Sequence, residues 1–385
     1  MNSKLNIVFF KFSLALGGGE RFNFILGKKL KEKGHDVKFY SNFKPFLKKL
    51  RSVGLKTKKL YWGEEVGARR YLPQYFLFLP LNFLRFFFIL LFNKKRNNQN
   101  IVVFQSLNEK IFATSLAQFL GYKVFWVEHL SIRPWLIKSF FKKRYVEKSD
   151  KANKIIAISN LIKKELIENL GISKEKIEIV YSGVDLDEFH VFDEKLVENE
   201  KKKYGFFKGS QIIGYVGRLH EEKGLNILID AFYQLSRRFD HLYLLFAGDG
   251  PERKKLEVQA LRLGLEKKVL FLGYKEDIPL FLNLIDIFVL PSIVRESFGI
   301  VLIEAMACSK VVVASNLGGI PEIINSGVDG FLFSPGNEKE LADLLSKVLS
   351  DEKMAKEMEK RALKKVKRYF SVTVMINKIE EVFSE

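Results

Sequence analysis

Residues 5–33 read LNIVFFKFSLALGGGERFNFILGKKLKEK, and the order of segments in this stretch indicates an α/β fold. Residues 5–10 form a short apolar run of the kind found in buried strands. A loop follows that ends in three glycines, and residues 21–33 then place apolar side chains at helical spacing. Gly34 ends this predicted helix as a C-cap glycine would. A strand, a glycine loop and a helix in this order make the first unit of an α/β sheet.

The same alternation of strand and helix continues along the chain and restarts once. Uncharged runs typical of buried parallel strands lie at residues 37–40, 101–104 and 124–127, and again at 212–216, 242–246, 269–272, 287–290 and 311–314. The charged, lysine-rich stretch 185–209 separates the two series. We therefore predict two Rossmann-like, doubly wound α/β lobes. Their carboxyl-terminal strand ends would face a cleft that binds a nucleotide.

Composition agrees with a globular protein of two or three domains. Of the 385 residues, 47% are hydrophobic and 28% are charged, which excludes intrinsic disorder and fibrous folds. The single cysteine, Cys308, cannot form an internal disulfide and is expected to be a packed, buried thiol. Residues 1–12 contain no signal-peptide pattern. We expect a cytoplasmic protein.

The positive charge is concentrated in the first half of the chain. Residues 1–180 contain 35 Lys and Arg against 13 Asp and Glu, a net charge of +22, whereas residues 181–385 contain 29 against 32. The first half is therefore expected to meet a polyanion, either nucleic acid or an anionic membrane. A lysine-rich genome is the alternative explanation, although it would raise lysine in both halves alike.

The segment from Tyr71 to Phe92 is strongly apolar, with seven phenylalanines and one internal charge, Arg85. A membrane-spanning helix needs about 20 apolar residues, but prolines interrupt the first part and leave only residues 81–92. Two interpretations remain open and can apply to different faces of one helix. The segment packs on the sheet, or it dips into lipid beside a basic cluster. The lipid-facing side chains would be Phe83, Phe86, Phe87 and Phe88, and the basic cluster Lys94, Lys95 and Arg96.

Two motifs in the second half have the residue types that bind a nucleoside diphosphate. Arg218 and Lys223 follow the strand 212–216, where an α/β domain holds phosphates and where two cations could neutralise a diphosphate. Residues 296–304, ESFGIVLIE, place two glutamates on either side of seven residues, across the start of a helix. The backbone N–H groups of that helix start would face a phosphate. Glu304 would reach ribose hydroxyls and Glu296 a sugar.

The glycine loop of the first half is a weaker signal. Gly17, Gly18 and Gly19 precede a helix and could approach an anion, but no Walker lysine follows and the dinucleotide glycine spacing is absent. A flexible turn is the alternative.

With these motifs the chain resembles the retaining glycosyltransferases of family 4, which have the two-lobed GT-B fold. The resemblance covers nearly the whole chain and includes residues 156–166, the turn 247–251 and Gly318–Glu322. It implies donor contacts by the following residues: Arg218 and Lys223 to the diphosphate, Glu304 to the ribose, Glu296 to the transferred sugar, backbone of Gly299, Ile300 and Val301 to phosphate, and backbone near Tyr274 to the base. It further implies that Gly18 and Gly19 lie against donor phosphate or acceptor, and His129 beside the anomeric centre.

Some positions depart from the family pattern. Ser182 replaces an asparagine, residues 309–311 replace a Gly-x-Pro, and Gln105 stands where many members have histidine, which bears on acceptor recognition. Asp185 and Asp187 spell Asp-x-Asp but lie in the interdomain turn, so we expect no metal and no other cofactor. The resemblance suggests front-face attack, in which the departing diphosphate accepts the acceptor's proton.

The expected function is transfer of a sugar from a UDP- or GDP-sugar to a lipid-linked or cell-envelope glycan at the inner face of the membrane. Residues 1–184, with the closing helix 370–385 crossing back, would form the acceptor lobe, and residues 185–369 the donor lobe. A soluble glucan or disaccharide synthase, or a nucleotide-sugar epimerase, is the alternative on the same fold. A basic nucleic-acid-binding protein is a remote alternative, because no nucleic-acid-binding motif is visible.

Overall fold

The structure is a computed structural model that describes residues 4–63, 72–132 and 134–385, with residues 72–78 described by their backbone alone. Tyr71 and residues 1–3 lie outside the described residues. By internal contacts the chain divides into two compact units. The first unit is Met1–Ser182 with Met375–Glu385, and the second unit is Gly183–Val374.

The first unit is built on a seven-stranded parallel sheet in the order β3-β2-β1-β4-β5-β6-β7. Its strands are β1 Leu5–Lys11, β2 Asp36–Ser41, β3 Lys56–Lys59, β4 Gln99–Phe104, β5 Lys123–Glu128, β6 Lys154–Ala157 and β7 Ile177–Ile179. Its helices are α1 Gly18–Glu32, α2 Lys44–Ser52, α3 Leu72–Asn93, α4 Leu107–Phe119, α5 Pro134–Ile137, α6 Phe141–Lys151 and α7 Asn160–Leu170. The strand order reverses between β1 and β4, which is where doubly wound sheets bind ligands.

The second unit repeats this architecture with a six-stranded parallel sheet in the order β10-β9-β8-β11-β12-β13. Its strands are β8 Gln211–Val216, β9 Leu242–Ala247, β10 Val269–Phe271, β11 Ile287–Leu290, β12 Val311–Ser315 and β13 Phe331–Phe333. Its helices are α8 Glu194–Lys203, α9 Leu225–Ser236, α10 Arg253–Arg262, α11 Ile278–Leu284, α12 Ile300–Ala307, α13 Glu338–Ser350 and α14 Glu352–Tyr369. The predicted α/β class with two doubly wound sheets is confirmed.

The last helix, α15 Val372–Ser384, begins in the second unit and ends in the first. Near its end Phe383 packs on Phe125 of β5, with ring centroids 4.8 Å apart. Glu380 accepts a hydrogen bond from Lys33 at 2.6 Å and lies 3.1 Å from His35 Nε2. These contacts attach the end of the chain to β5 and to the residues before β2.

The stretch 185–209, predicted as a linker, contains the helix α8. Asp193 caps this helix by accepting hydrogen bonds from the backbone of Lys195 and Leu196, and none of the helix residues is buried. An exposed helix leaves no apolar periodicity, so sequence pattern could not find it.

Helix α3 has one buried face and one exposed apolar face. Phe86 and Leu90 are fully buried, and the Phe86 ring stacks on Phe10 of β1 with centroids 4.6 Å apart. The prediction that Phe86 faces lipid is therefore wrong, because its position on the helix turns it into the core. Phe83 and Phe88 are about half exposed, and Phe92 is 80% exposed. No helix among the described residues is long and apolar enough to cross a membrane.

Cys308 is buried as expected at the end of α12, and burial raises the pKa of its thiol to about 12.

Candidate functional site

In the second unit, the loops after β8 and β9 pack backbone against backbone. Gly248 has φ +143°, and a Cβ there would lie 1.9 Å from the carbonyl oxygen of Gly217. A Cβ on Gly250 would lie 2.2 Å from the carbonyl oxygen of Leu219. Side chains cannot fit at these positions, so the glycines let the two loops meet at the carboxyl ends of adjacent strands. This contact sets the backbone from which Arg218 extends.

Arg218 is a solvent-facing cation at this strand end. Its side chain is 68% exposed, and its guanidinium donates a 2.9 Å hydrogen bond to Glu222 four residues later. The hydroxyl of Tyr215 donates to the Arg218 carbonyl at 3.0 Å and fixes the turn. An exposed ion pair of this kind contributes little to stability, so the guanidinium can leave Glu222 for an anionic ligand at small cost.

Lys223 and Glu296 are brought together from positions far apart in sequence. The ammonium of Lys223 donates to Glu296 Oε1 at 2.6 Å, and the hydroxyl of Ser292 donates to the same oxygen at 2.6 Å. Both charged side chains are less than one-fifth exposed. Sequence reasoning named both charged residues but missed their direct contact, and it missed Ser292 entirely. A serine after a buried strand carries no signal of its own.

A glycine pair holds the backbone that carries Glu296. Gly318 has φ +67°, and a Cβ there would lie 2.3 Å from the Glu296 carbonyl oxygen. A Cβ on Gly319 would lie 2.5 Å from the Ser297 carbonyl oxygen, and the Gly319 N–H donates to the Glu296 carbonyl at 2.8 Å. The segment Gly318–Glu322 was recognised in the sequence as a family motif without a role. In the structure it fixes the Glu296 loop.

Helix α12 begins directly after this loop. Gly299 is its N-cap residue, with φ +102°, and Ile300 and Val301 form its first turn. The helix thus begins after β11, and Lys223 follows the adjacent strand β8, so the positive end of the helix dipole and Lys223 lie at the carboxyl end of the same sheet. Glu304, one turn further along, is 2% exposed and has partners within the fold. Tyr274, in the loop after β10, is 74% exposed.

In the first unit, His129 lies at the end of β5 in a buried polar cluster. Its Nε2 is 2.9 Å from Gln105 Oε1, and the Asn23 amide donates to the same Gln105 oxygen at 2.7 Å. Burial lowers the pKa of His129 well below its ordinary value, and the charges of Lys11 and Lys110 lower it further. His129 is therefore neutral at physiological pH. Gln105, named in the sequence only as a departure from the family pattern, is its direct partner.

The glycine loop lies beside this histidine. Helix α1 begins at Gly18, and Glu20 closes a capping box by accepting the N–H of Gly17 at 3.0 Å. A Cβ on Gly19 would lie 3.5 Å from the His129 ring. The structure thus brings together two of the residues predicted for this end of the sheet, Gly19 and His129.

A buried ion pair next to His129 was not predicted. Lys110 of α4 is 2% exposed and donates to Glu128, and Tyr145 of α6 donates to the same carboxylate oxygen. Burial and the neighbouring Glu128 raise the pKa of Tyr145 well above its ordinary value. Sequence periodicity assigns these residues to separate elements, so their contact appears only in the fold.

The described residues contain no group of three or more His, Cys, Asp or Glu that could hold a metal ion. Asp185 and Asp187 lie in a turn in which the Asp185 carboxylate accepts the backbone N–H of Asp187 at 3.1 Å.

Two family models together match most of the chain. Residues 16–188 match glycosyltransferase family 4, and residues 197–365 match glycosyl transferases group 1. The chain belongs to glycosyltransferase family 4. This result confirms the recognition made from the sequence motifs, and it agrees with the two-sheet architecture. The chain is a glycosyltransferase.

Whole-length relatives support the same assignment. The chain is 27% identical over 383 residues to N-acetyl-alpha-D-glucosaminyl L-malate synthase of Bacillus anthracis, covering 96% of this chain and 94% of the relative. A glycosyltransferase structure from Rickettsia africae has a TM-score of 0.84 and 25% identity, with 99% and 98% of the chains covered. HepE of Anabaena, solved with UDP, has a TM-score of 0.83 and 22% identity over 99% and 100% of the chains, and shares the fold. Several other relatives match over only about half of their own length.

Proposed function

We propose that the second unit holds a UDP- or GDP-sugar and that the first unit holds the acceptor. The observation that carries this proposal is the contact of Lys223 and Ser292 with Glu296 on a glycine-clamped loop at the start of α12. The cation and the helix N-terminus at this end of the sheet match the charged oxygens of the donor diphosphate, and the carboxylate matches the sugar hydroxyls.

Each donor contact has a proposed role. Arg218 and Lys223 neutralise the diphosphate as it leaves, and the backbone N–H groups at the start of α12, at Gly299, Ile300 and Val301, bind phosphate oxygens.

The nucleoside and the sugar have other contacts. Glu304 binds the ribose, and backbone near Tyr274 binds the base. Glu296 accepts a hydrogen bond from the transferred sugar. The two cations supply charge that a divalent metal would otherwise bring, so we propose transfer without a metal.

The proposed reaction retains the configuration of the sugar. The acceptor hydroxyl attacks from the same face as the leaving diphosphate and gives its proton to the departing phosphate oxygen. Neutral His129, beside Gly19, donates through Nε2 to Gln105 Oε1, so at the anomeric centre its Nδ1 would accept one hydrogen bond. Gly18 would allow close approach of the donor phosphate or the acceptor. In this mechanism no carboxylate acts as a nucleophile.

We propose further that the acceptor is a lipid-linked or envelope glycan and that the enzyme works at the cytoplasmic face of an anionic membrane. The +22 charge of residues 1–180 and the half-exposed Phe83 and Phe88 of α3 support this. Burying aromatic side chains at the interface and attracting anionic lipid act together. Within the basic cluster after α3, Lys95 is held by Asp36, so Lys94 and Arg96 are the members proposed to meet lipid.

A small soluble acceptor is the second candidate. The relative that matches over 96% of this chain is named for a product containing L-malate, a small acid. A soluble acceptor would predict full turnover without lipid.

A nucleotide panel tests the donor proposal. Thermal unfolding is measured in EDTA with UDP, GDP, ADP and their sugar conjugates, and is repeated with anionic vesicles. We expect one base to raise the melting temperature in proportion to the logarithm of its concentration. No shift with any nucleotide would overturn the proposal.

A further inference from the structure

The first unit contains a small pocket whose chemistry is not used by any donor role. It has a volume of about 130 Å³ and lies at the carboxyl ends of β1, β4 and β5. Sites for a whole drug-sized ligand are typically about 300–1,000 Å³, so this pocket fits one chemical group of a larger molecule. The residues that matter for its chemistry are Lys11, Lys110, Glu128, Ser131 and Trp135.

Two polar atoms in this pocket are buried without a hydrogen-bond partner among the described residues. They are the indole Nε1 of Trp135 and the hydroxyl oxygen of Ser131. An indole N–H can only donate, and a hydroxyl can donate or accept. Leaving a buried donor unsatisfied costs about 1–3 kcal/mol, so such a group indicates that a ligand acceptor belongs beside it.

Each of the two lysines of the pocket faces a carboxylate, and only one of these two ion pairs is hydrogen-bonded. Lys110 is compensated by Glu128, to which it donates directly. Lys11 is only 12% exposed and forms an ion pair with Glu20 at 3.8 Å. This distance is longer than a hydrogen bond, so the ion pair occupies no hydrogen-bond donor of the Lys11 ammonium. Burial lowers the pKa of His129, and the positive charges of Lys11 and Lys110 lower it further, so both lysines act on this end of the sheet.

We propose that this pocket receives an oxyanion, a carboxylate or a phosphate group, of the acceptor, bound by Lys11, Ser131 and Trp135. An ammonium, a hydroxyl and an indole N–H are three donors that together satisfy one anionic group. The inference rests on the proposed function, because it takes the ligand to be the acceptor. It narrows the acceptor to molecules with an anionic group near the hydroxyl that is glycosylated.

The indole N–H groups of the three tryptophans allow anion binding to be followed by NMR. Trp62 Nε1 donates to Glu109 at 3.2 Å and Trp126 Nε1 donates to Thr114 at 3.0 Å, whereas Trp135 Nε1 is unpartnered. The full-length protein is labelled with ¹⁵N at the indole, and Trp135→Phe assigns the resonance. Inorganic phosphate and acetate are titrated separately to millimolar concentration, with sodium chloride at matched ionic strength.

We expect a saturable shift of the Trp135 indole resonance, with those of Trp62 and Trp126 unmoved. A response to phosphate alone identifies a phosphate group, and a response to acetate identifies a carboxylate. Lys11→Gln should weaken binding at least tenfold, while Lys59→Gln, an exposed lysine on β3, should leave it unchanged. Ser131→Ala removes only the hydroxyl oxygen and, like Lys11→Gln, should weaken anion binding.

No saturable shift with either anion, or an equal shift with chloride, would overturn the inference. Addition of UDP and GDP to the same wild-type sample reports separately on the donor proposal. If the wild-type protein binds a nucleotide but neither anion, the pocket assignment is rejected and the donor proposal stands.

Discussion

At the carboxylate of Glu296, both described hydrogen bonds end on one oxygen. Lys223 and Ser292 donate to Oε1, and the loop is held by Gly318 and Gly319. We propose that the second oxygen, Oε2, accepts a hydrogen bond from the transferred sugar. A carboxylate oriented in advance binds a sugar hydroxyl at little entropic cost.

Glu296→Gln keeps the shape of this side chain and removes its charge. We expect transfer to fall by about 100-fold, the scale of losing one preorganised group, with nucleotide affinity changed by less than about threefold. The measurement is the rate of donor consumption beside calorimetric nucleotide binding. Glu266→Gln, an exposed glutamate in the same unit, is the matched control. Full activity of the Glu296 variant would remove this residue from the site.

The buried, neutral His129 makes the first unit sensitive to acid. Below its unfolded pKa of about 6.5, the unfolded chain binds a proton that folded His129 does not, so stability is lost as pH falls. Between pH 7.5 and 5.5 we expect this residue to account for about 1 kcal/mol of lost stability. Stability above pH 7.5 should not depend on its titration.

Urea unfolding followed by tryptophan fluorescence checks this prediction, because all three tryptophans lie in the first unit. The difference in unfolding free energy between wild type and His129→Gln should shrink by that amount on acidification. A difference that does not change with pH would show that His129 protonates freely in the fold.

Among single residues, sequence reasoning predicted the charged and glycine positions better than their partners. Lys223, Glu296 and His129 each stood out by type and motif. Ser292 and Lys110 did not, because their roles depend on contacts between elements distant in sequence. A serine or lysine acquires its function only when the fold places a carboxylate beside it.

Among the elements, strands were predicted well because buried parallel strands are short, uncharged runs. The structure lengthens seven of the nine predicted strands by one or two residues at one end or both, leaves 287–290 unchanged and shortens 269–272 by one residue. The strands β3, β6, β7 and β13 were not predicted. Helix α8 was missed because it is exposed, and the face of α3 was misassigned at Phe86. An all-apolar helix has no polar face from which its orientation could be predicted.

The loop that carries Glu296 is expected to depend on the absence of a side chain at Gly318. Gly318→Ala would place a Cβ 2.3 Å from the Glu296 carbonyl oxygen, so the loop must move. Gly327 has a similar positive φ, +79°, but open space around it. Gly327→Ala therefore carries the backbone strain alone, about 1–3 kcal/mol.

We expect Gly318→Ala to lose about 100-fold in transfer and Gly327→Ala to keep it, at comparable backbone strain. Activity assays and melting temperatures of both variants separate the two effects. Equal activities would mean that the Glu296 loop tolerates displacement.

The exposed face of α3 tests membrane contact. The double variant Phe88→Ser, Phe92→Ser removes two exposed rings from this helix, and we expect binding to anionic vesicles to weaken by about tenfold or more. Phe119→Ser is the control, since Phe119 is 83% exposed on α4 of the same unit. Vesicle sedimentation measures both. Equal binding by the double variant and wild type would exclude this face as the membrane contact.

For the whole molecule, charge and architecture were both visible in the sequence. The net charge of +22 in residues 1–180 and the near-neutral remainder correspond closely to the two compact units, whose boundary falls at Ser182. The family assignment agrees, with a separate match for each unit. We propose that this division separates acceptor and membrane contact from donor binding.

The central claim is that the second unit binds the nucleoside diphosphate through Lys223. Titration calorimetry in EDTA, with the base found by the thermal panel, tests it on wild type, Lys223→Met and Lys254→Met, whose lysine is exposed on α10 of the same unit. The account predicts binding by wild type and Lys254→Met, and at least tenfold weaker binding by Lys223→Met, about 1.4 kcal/mol. Undiminished binding by Lys223→Met, or no binding of UDP, GDP or ADP by wild type, would contradict it.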